Sequence, residues 1–147
     1  MPTYQCIVPP KLLNAAQKQE MAQTIVRIHC KATGAPHYYA QVIIDESDQR
    51  VRYLGGKPQP NHIWIRADIR SGRSAEVKGK LMLDMMRAVS KISGVDETMV
   101  FIYLNELEGP DIVEYGEILP GHGHEQTWFA TLSPARQKLM QSYTMDE

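Results

Sequence analysis

The chain has 147 residues, of which 43% are hydrophobic and 22% charged, as is usual for one globular domain with a packed core. We therefore expect residues 1–147 to form a single domain. Sixteen basic and seventeen acidic residues give a formal net charge of -1, which argues against nucleic-acid or anionic-membrane partners. No basic and apolar leader opens the chain and no apolar run approaches ~20 residues, so we expect a cytoplasmic protein.

The first part of the chain predicts a strand, a helix and a second strand. Residues 3–8 alternate apolar and polar side chains, as a half-buried strand does. Asn14 can cap the start of a helix that Gly34 ends, and His29 lies on the apolar face of that helix. Residues 38–45 are nearly continuously apolar, which predicts a strand buried on both faces and therefore in a parallel sheet.

The same order recurs later in the chain. Residues 63–69 predict a third strand, Ser74 can cap a helix that Gly94 ends, and residues 99–104 predict a fourth strand. An irregular segment follows, and Ser133-Pro134 opens a short final helix. The pattern is typical of two right-handed βαβ units.

The predicted fold is therefore α/β (α+β), with two βαβ units forming one four-stranded mixed sheet and the helices on one face. The opposite face of such a sheet has no cover of its own. An exposed apolar surface of that size is unusual for a soluble monomer, so we expect a homo-oligomer.

Pro2 is the first candidate for chemistry. Removal of Met1 would leave a secondary amine at the terminus, and a terminal amine titrates near ~8, where it can act as acid or base. On its own Pro2 is an ordinary second residue, so its role depends on what surrounds it.

Arg70, Arg73 and His29 are candidates for binding an anion. The two arginines flank Ser71-Gly72 at the C-terminal end of a predicted strand, where open α/β sheets bind ligands. Their planar guanidinium groups suit a carboxylate. The same sequence is also compatible with two solvated loop arginines that bind no ligand. His29 is either a packed histidine bonded to backbone or a donor to a substrate oxygen.

Two further residues carry weaker signals. Tyr103 shares one face of the fourth strand with Phe101 and Asn105, a position where a tyrosine more often belongs to the core. Glu114 is an acid among apolar neighbours in a loop, an arrangement that can perturb its titration.

A metal site is the least favoured interpretation. His122, His124 and Glu125 stand close together in a glycine-containing loop, but no distant fourth ligand is evident, so we expect no metal and no cofactor. Cys6 and Cys30 lack metal-type spacing and predict buried thiols. A metal-dependent hydrolase using the loop would lose its activity with chelators.

Taken together, these residues resemble the tautomerase superfamily, in particular the group of cis-3-chloroacrylic acid dehalogenase. The resemblance spans nearly the whole chain and is carried by Pro2, His29, Arg70-Ser-Gly-Arg73, Val100-Phe-Ile-Tyr103, Glu114-Tyr-Gly, Gln41-Val42, Gly55-Gly56 and Trp128-Phe129. It implies a β-α-β fold assembled as a homotrimer and a small carboxylic acid as substrate.

The resemblance also implies a role for each site residue: the substrate carboxylate is held by Arg70, Arg73 and His29, water is activated by Glu114 with Tyr103, and a proton is delivered by Pro2. In the dehalogenase-type reaction, water adds to C3 of a 3-haloacrylate while protonated Pro2 delivers a proton to C2. The adduct then loses halide to give malonate semialdehyde. In a tautomerase, neutral Pro2 instead removes a proton from an enol. The positive charges of the arginines would lower the pKa of Pro2 and the negative charge of Glu114 would raise it, so both roles stay open.

One departure from the family pattern concerns specificity. Tyr38-Tyr39 stands where the resemblance implies phenylalanine-leucine, and Tyr39 would add bulk and a hydroxyl to the substrate pocket. The alternative to an enzyme is a non-catalytic binding or structural trimer of the same fold. Retention of Met1 would favour that alternative, because an acylated proline nitrogen cannot transfer protons.

Overall fold

Four strands form one mixed sheet in the computed structural model, which describes residues 2–48 and 51–146. Their spatial order is β2 (Gln41–Asp45), β1 (Thr3–Ile7), β5 (Ile63–Arg70) and β6 (Val100–Leu107). β1 is parallel to β2 and β5 is parallel to β6, whereas β1 and β5 are antiparallel. The predicted sheet of two βαβ units is confirmed.

Two long helices cover one face of the sheet, α1 (Ala15–Thr33) and α2 (Ala75–Ser93). Asn14 and Ser74 cap their starts by accepting backbone N–H groups, as predicted. Gly34 and Gly94 end them in the left-handed conformation, at φ of 71° and 73°. The main core lies between these helices and the sheet; its largest fully buried members include Tyr4, Met21, Ile25, Ile63, Ile65, Leu81 and Met85.

The remaining elements are short. They are the hairpin strands β3 (Tyr53–Leu54) and β4 (Lys57–Pro58), the hairpin strands β7 (Val113–Glu114) and β8 (Glu117–Ile118), the helices α3 (Glu125–Thr131) and α4 (Pro134–Gln141), and the 3-10 turns His37–Tyr39, Glu97–Met99 and Gly109–Asp111. Ser133 caps α4 as predicted, whereas α3 forms where the sequence predicted irregular chain.

The second strand is shorter and more exposed than predicted. It begins at Gln41, because His37–Tyr39 forms a 3-10 turn. It also lies at the edge of the sheet, and Ile43 is 44% exposed. Parallel pairing was therefore predicted correctly, but burial on both faces was wrong for this chain by itself.

The face of the sheet opposite the helices is open and mixed in character. Arg66 pairs with Asp68 at 3.1 Å there, and Trp64 meets Tyr103 edge to face at 5.7 Å. Tyr103 is 58% exposed. The face is less apolar than expected, although it presents large side chains that a partner could cover.

A second, smaller core lies under the C-terminal elements and is formed by Tyr39, Leu119, Leu132 and Met140. It anchors the chain that follows β6 against the turn that precedes β2. Among the described residues, no helix has the length and apolar character needed to span a membrane.

Candidate active site

Pro2 lies at the end of the sheet where the candidate arginines also lie. It is buried, and its carbonyl accepts a hydrogen bond from the Gln41 N–H at 2.8 Å. The next residue, Thr3, pairs with Asp68, which is two residues before Arg70. Because β1 and β5 are antiparallel, the start of the chain meets the C-terminal end of β5.

Arg70 is a buried residue, and both of its terminal nitrogens donate to groups of the protein. Its side chain is 3% exposed, and Nη1 donates to Glu125 Oε1 at 3.0 Å. Nη2 donates to the carbonyl oxygen of Pro120. The reading of Arg70 as a solvated loop arginine is therefore excluded, and its guanidinium is engaged by the segment that leads into α3.

Arg73 is more accessible and lies beside a histidine. Its Nη1 is 3.2 Å from His122 Nδ1 and donates to the Ser71 carbonyl at 3.3 Å. Arg73 and His122 line a pocket of about 520 Å³ together with Glu125 and Tyr39. This is the guanidinium that a ligand in the pocket can reach.

His29 is a buried, uncharged histidine. It is 3% exposed, and its Nδ1 lies 2.7 Å from the hydroxyl of Tyr4 on β1. Burial, reinforced by the positive charge of Arg73, lowers the pKa of His29 from 6.5 to about 4. When Tyr4 donates to Nδ1, Nε2 carries the ring proton and can donate to a substrate oxygen.

The depressed pKa of His29 predicts a specific pH dependence of stability. Between pH 6.5 and pH 4 the histidine is protonated in the unfolded chain but not in the native protein. The free energy of unfolding therefore decreases as the pH is lowered through this window. We expect this residue to account for a loss of about 3 kcal/mol in unfolding free energy between pH 7 and pH 4.

Urea unfolding of wild type and His29→Gln at both pH values measures that contribution as the difference between their pH slopes. The variant should lose less stability on acidification. Equal slopes would show that His29 is not held neutral by the fold.

Tyr39 stands between two pockets. Tyr38 and Tyr39 line both the pocket that contains Arg73 and a second pocket of about 590 Å³ that contains Glu114. Burial raises the pKa of Tyr39, which is 4% exposed, so its hydroxyl stays protonated at neutral pH. Tyr39, which the sequence predicted to contact the substrate, therefore lies in the wall of the pocket that contains Arg73.

Glu114 is held by a tight hairpin. Tyr115 and Gly116 form the two-residue turn between β7 and β8, with φ of 53° and 80°, as a type I′ turn requires. A positive φ is unusual for tyrosine, and the Tyr115 hydroxyl secures the turn by donating to the Tyr38 carbonyl at 2.5 Å. This bond joins the hairpin that carries Glu114 to the turn that carries Tyr39.

The structure brings most of the candidate residues to one end of the sheet, but not into one pocket. Among the described residues, neither pocket is lined by Pro2, His29 or Arg70, which are all buried. Tyr103 lies two strands away from β1, on the open face of the sheet. Within one chain it does not join the others.

The loop histidines do not form a metal centre with other ligands. Across residues 2–48 and 51–146, no group of three or more histidine, cysteine, aspartate or glutamate side chains could hold a metal ion. Cys6 is buried and Cys30 is partly exposed, and both are free thiols.

Two residues of the site escaped the sequence-based prediction. Tyr4, the partner of His29, follows Pro2 by two residues at the start of β1, so the apolar and polar alternation could have placed both on the helix-covered face. Glu125 was considered only as a metal ligand. Its contact with Arg70 spans 55 positions of sequence, and no local pattern indicates it.

The architecture and this cluster define a class of protein, one with a tautomerase-like α+β fold. A family model described as "Putative oxalocrotonate tautomerase enzyme" matches residues 1–130. The chain therefore belongs to the tautomerase superfamily, within the cis-3-chloroacrylic acid dehalogenase group.

Several solved structures share this fold. N1, a member of the cis-3-chloroacrylic acid dehalogenase family, is 33% identical with a TM-score of 0.90, over 95% of this chain and 99% of its own. RhCC from Rhodococcus jostii RHA1 is 17% identical with a TM-score of 0.71, over 99% of each chain. The symmetric trimer Q0 fused 4-OT is 20% identical with a TM-score of 0.73, over 80% of this chain and 94% of its own. The last two likenesses concern the fold alone, and among curated proteins none matches this chain.

Proposed function

We propose that this chain is an enzyme whose amino-terminal proline, exposed by removal of Met1, acts on a small unsaturated or enolic carboxylic acid. The observation that carries the proposal is the position of Pro2 at the end of the sheet where Arg73, Arg70 and a neutral, buried His29 lie. This combination offers a carboxylate anchor next to a proton-transfer group.

The substrate carboxylate binds Arg73 in the 520 Å³ pocket, and Tyr39 limits the space beside it. His29 does not line this pocket; it lies at the same end of the sheet, where its Nε2 offers a neutral donor once Tyr4 occupies Nδ1. Arg70 does not face the pocket directly, but it holds Glu125 in the pocket wall through a hydrogen bond from its Nη1. Orienting the acid in this way fixes its C2 and C3 atoms relative to the proline nitrogen.

Two reactions fit these residues. In water addition, Glu114 with Tyr103 activates water for attack at C3 while protonated Pro2 delivers a proton to C2, as in hydrolytic dehalogenation of a cis-3-haloacrylate. In keto-enol tautomerisation, neutral Pro2 moves a proton of the enol. The position of Glu114 on a hairpin tied to Tyr38 supports its role near the substrate.

The proposal requires a homo-oligomer, which we take to be a homotrimer. Tyr103 lies on the open sheet face, two strands from β1, so it can reach a site only in a neighbouring copy. Ile43, 44% exposed on the edge strand β2, adds apolar surface for such an interface. A structure named as a symmetric trimer shares the fold.

The test is turnover of two substrates by protein whose Pro2 terminus is confirmed by mass spectrometry. With cis-3-chloroacrylate, loss of at least about 100-fold in kcat in both Pro2→Ala and Glu114→Gln would support water addition. With enol phenylpyruvate, activity that survives Glu114→Gln but not Pro2→Ala would support tautomerisation.

If neither substrate shows turnover that depends on Pro2, the proposal is contradicted and a binding or structural trimer is favoured. Lys80→Gln provides a control, because this exposed helix residue pairs only with the nearby surface residue Asp84 among the ion pairs of the described chain. Its activity should equal that of the wild type.

A further inference from the structure

A carboxylate of the chain itself sits on one of the two arginines of the proposed site. Glu125 Oε1 is 3.0 Å from Arg70 Nη1, with side-chain exposures of 27% and 3%. The carbonyl of Pro120 takes the other terminal nitrogen of Arg70. Arg70 is therefore screened from the pocket by a group of opposite charge.

The charge that remains open to the pocket is that of Arg73. Arg73, Glu125 and His122 line the same 520 Å³ space. His29 is neutral at pH 7, because burial lowers its pKa to about 4. Two guanidinium groups and one carboxylate leave a single positive charge on this side of the pocket, which matches one ligand carboxylate.

Close packing holds the Glu125 segment against the arginine segment. A Cβ on Gly72 would come within 2.7 Å of His122 Cγ, so the histidine ring rests directly on the Gly72 backbone. A Cβ on Gly109 would come within 3.1 Å of Arg70 Nε and would collide with the Pro120 carbonyl oxygen. Glycine at both positions allows residues 120–125 to reach Arg70 and Arg73.

We propose that Glu125 determines the charge class of the substrate: by cancelling the charge of Arg70, it makes the pocket select a monocarboxylate over a dicarboxylate. A second carboxylate on the ligand would meet Glu125 rather than a free guanidinium, and like charges repel. The inference rests on the proposed function, since it concerns the same pocket. Its test measures binding rather than turnover.

Propanoate and malonate are suitable probes because they share three carbons and differ in one carboxylate. Isothermal titration at pH 7.5 should show that the wild type prefers propanoate. In Glu125→Gln, the ratio of malonate affinity to propanoate affinity should rise on the order of tenfold, because the charge of Arg70 is no longer cancelled in this partly exposed pocket. Glu106→Gln removes a carboxylate that pairs with Lys78 elsewhere, and its ratio should equal that of the wild type.

The double variant Glu125→Gln/Arg70→Gln separates charge from shape. It leaves no buried charge without a counter-charge, so it stays foldable, and it restores a single positive charge. Its affinity ratio should return to the wild-type value. A ratio in Glu125→Gln within twofold of wild type, or a double variant that keeps the raised ratio, would overturn the charge-selection role.

Failure of the proposed function gives a different result. If the wild type bound neither acid, or if Arg73→Gln bound both with unchanged affinity, the pocket would not be a carboxylate site and both proposals would fall. If both acids bound through Arg73 but the ratio did not respond to Glu125, only the charge-selection role would be wrong.

Discussion

Replacing Arg73 with glutamine is expected to lower kcat/KM for the acid substrate by about 100-fold, mainly through a higher KM. Arg73 is the guanidinium that lines the 520 Å³ pocket, whereas Arg70 is covered by Glu125 and Pro120. A carboxylate that does not react is held equally in the ground state and the transition state, so losing its anchor weakens binding more than it slows the chemical step. Steady-state kinetics on the substrate found for the wild type measure both parameters.

Two further variants sharpen this result. Arg73→Lys keeps the charge but loses the planar pair of donors, so it should fall between wild type and Arg73→Gln, about tenfold below wild type. Arg87→Gln serves as the control, because Arg87 is a solvent-exposed residue of α2 whose partner is Asp84. A KM for Arg73→Gln within twofold of wild type would show that the carboxylate binds elsewhere.

The parts of the fold that depend on local chemistry could be predicted from the sequence. Asn14 and Ser74 cap helices because a side-chain oxygen accepts an N–H three residues on, and that spacing is visible in the chain. Gly34 and Gly94 end the helices because glycine adopts a positive φ without strain. Two βαβ units follow from the order of these elements.

Features that depend on distant contacts could not be predicted in the same way. The antiparallel pairing of β1 with β5 joins strands about sixty positions apart. Tyr39 belongs to an apolar run of sequence that predicted a strand. It instead ends a 3-10 turn and packs with Leu119 and Met140 of the C-terminal segment. Tertiary packing, rather than local propensity, decides the conformation there.

The site divides along the same line. Arg70 and Arg73 could be placed together at the C-terminal end of a strand, whereas their nearness to Pro2 depends on the antiparallel pairing of β1 with β5 and was implied only by the family resemblance. The sequence could not show that Arg70 is buried with Glu125 while Arg73 faces the pocket, since the difference comes from how residues 120–125 fold back. Alternation along β6 placed Tyr103 on one face, but only the sheet shows that this face is open.

The contact between Gly109, Pro120 and Arg70 predicts the largest effect of a single methyl group on stability. Gly109 is buried, and an added Cβ would lie 2.9 Å from the Pro120 carbonyl carbon and 3.1 Å from Arg70 Nε. Backbone atoms cannot rotate away as a flexible side chain can, so the segment that carries Glu125 has to move. We expect Gly109→Ala to lower the unfolding free energy by about 3 kcal/mol, as measured by urea denaturation at pH 7.

Gly79→Ala supplies the matched comparison, because the same methyl group is added where nothing lies within 4 Å. Gly79 belongs to α2, and alanine loses less conformational entropy than glycine on entering a helix, so this variant should gain about 0.5–1 kcal/mol. The two substitutions should therefore change stability in opposite directions. A loss in Gly109→Ala no greater than 1 kcal/mol would mean that residues 120–125 can withdraw from Arg70 at little cost, and Glu125 would then be too loosely held to screen its charge.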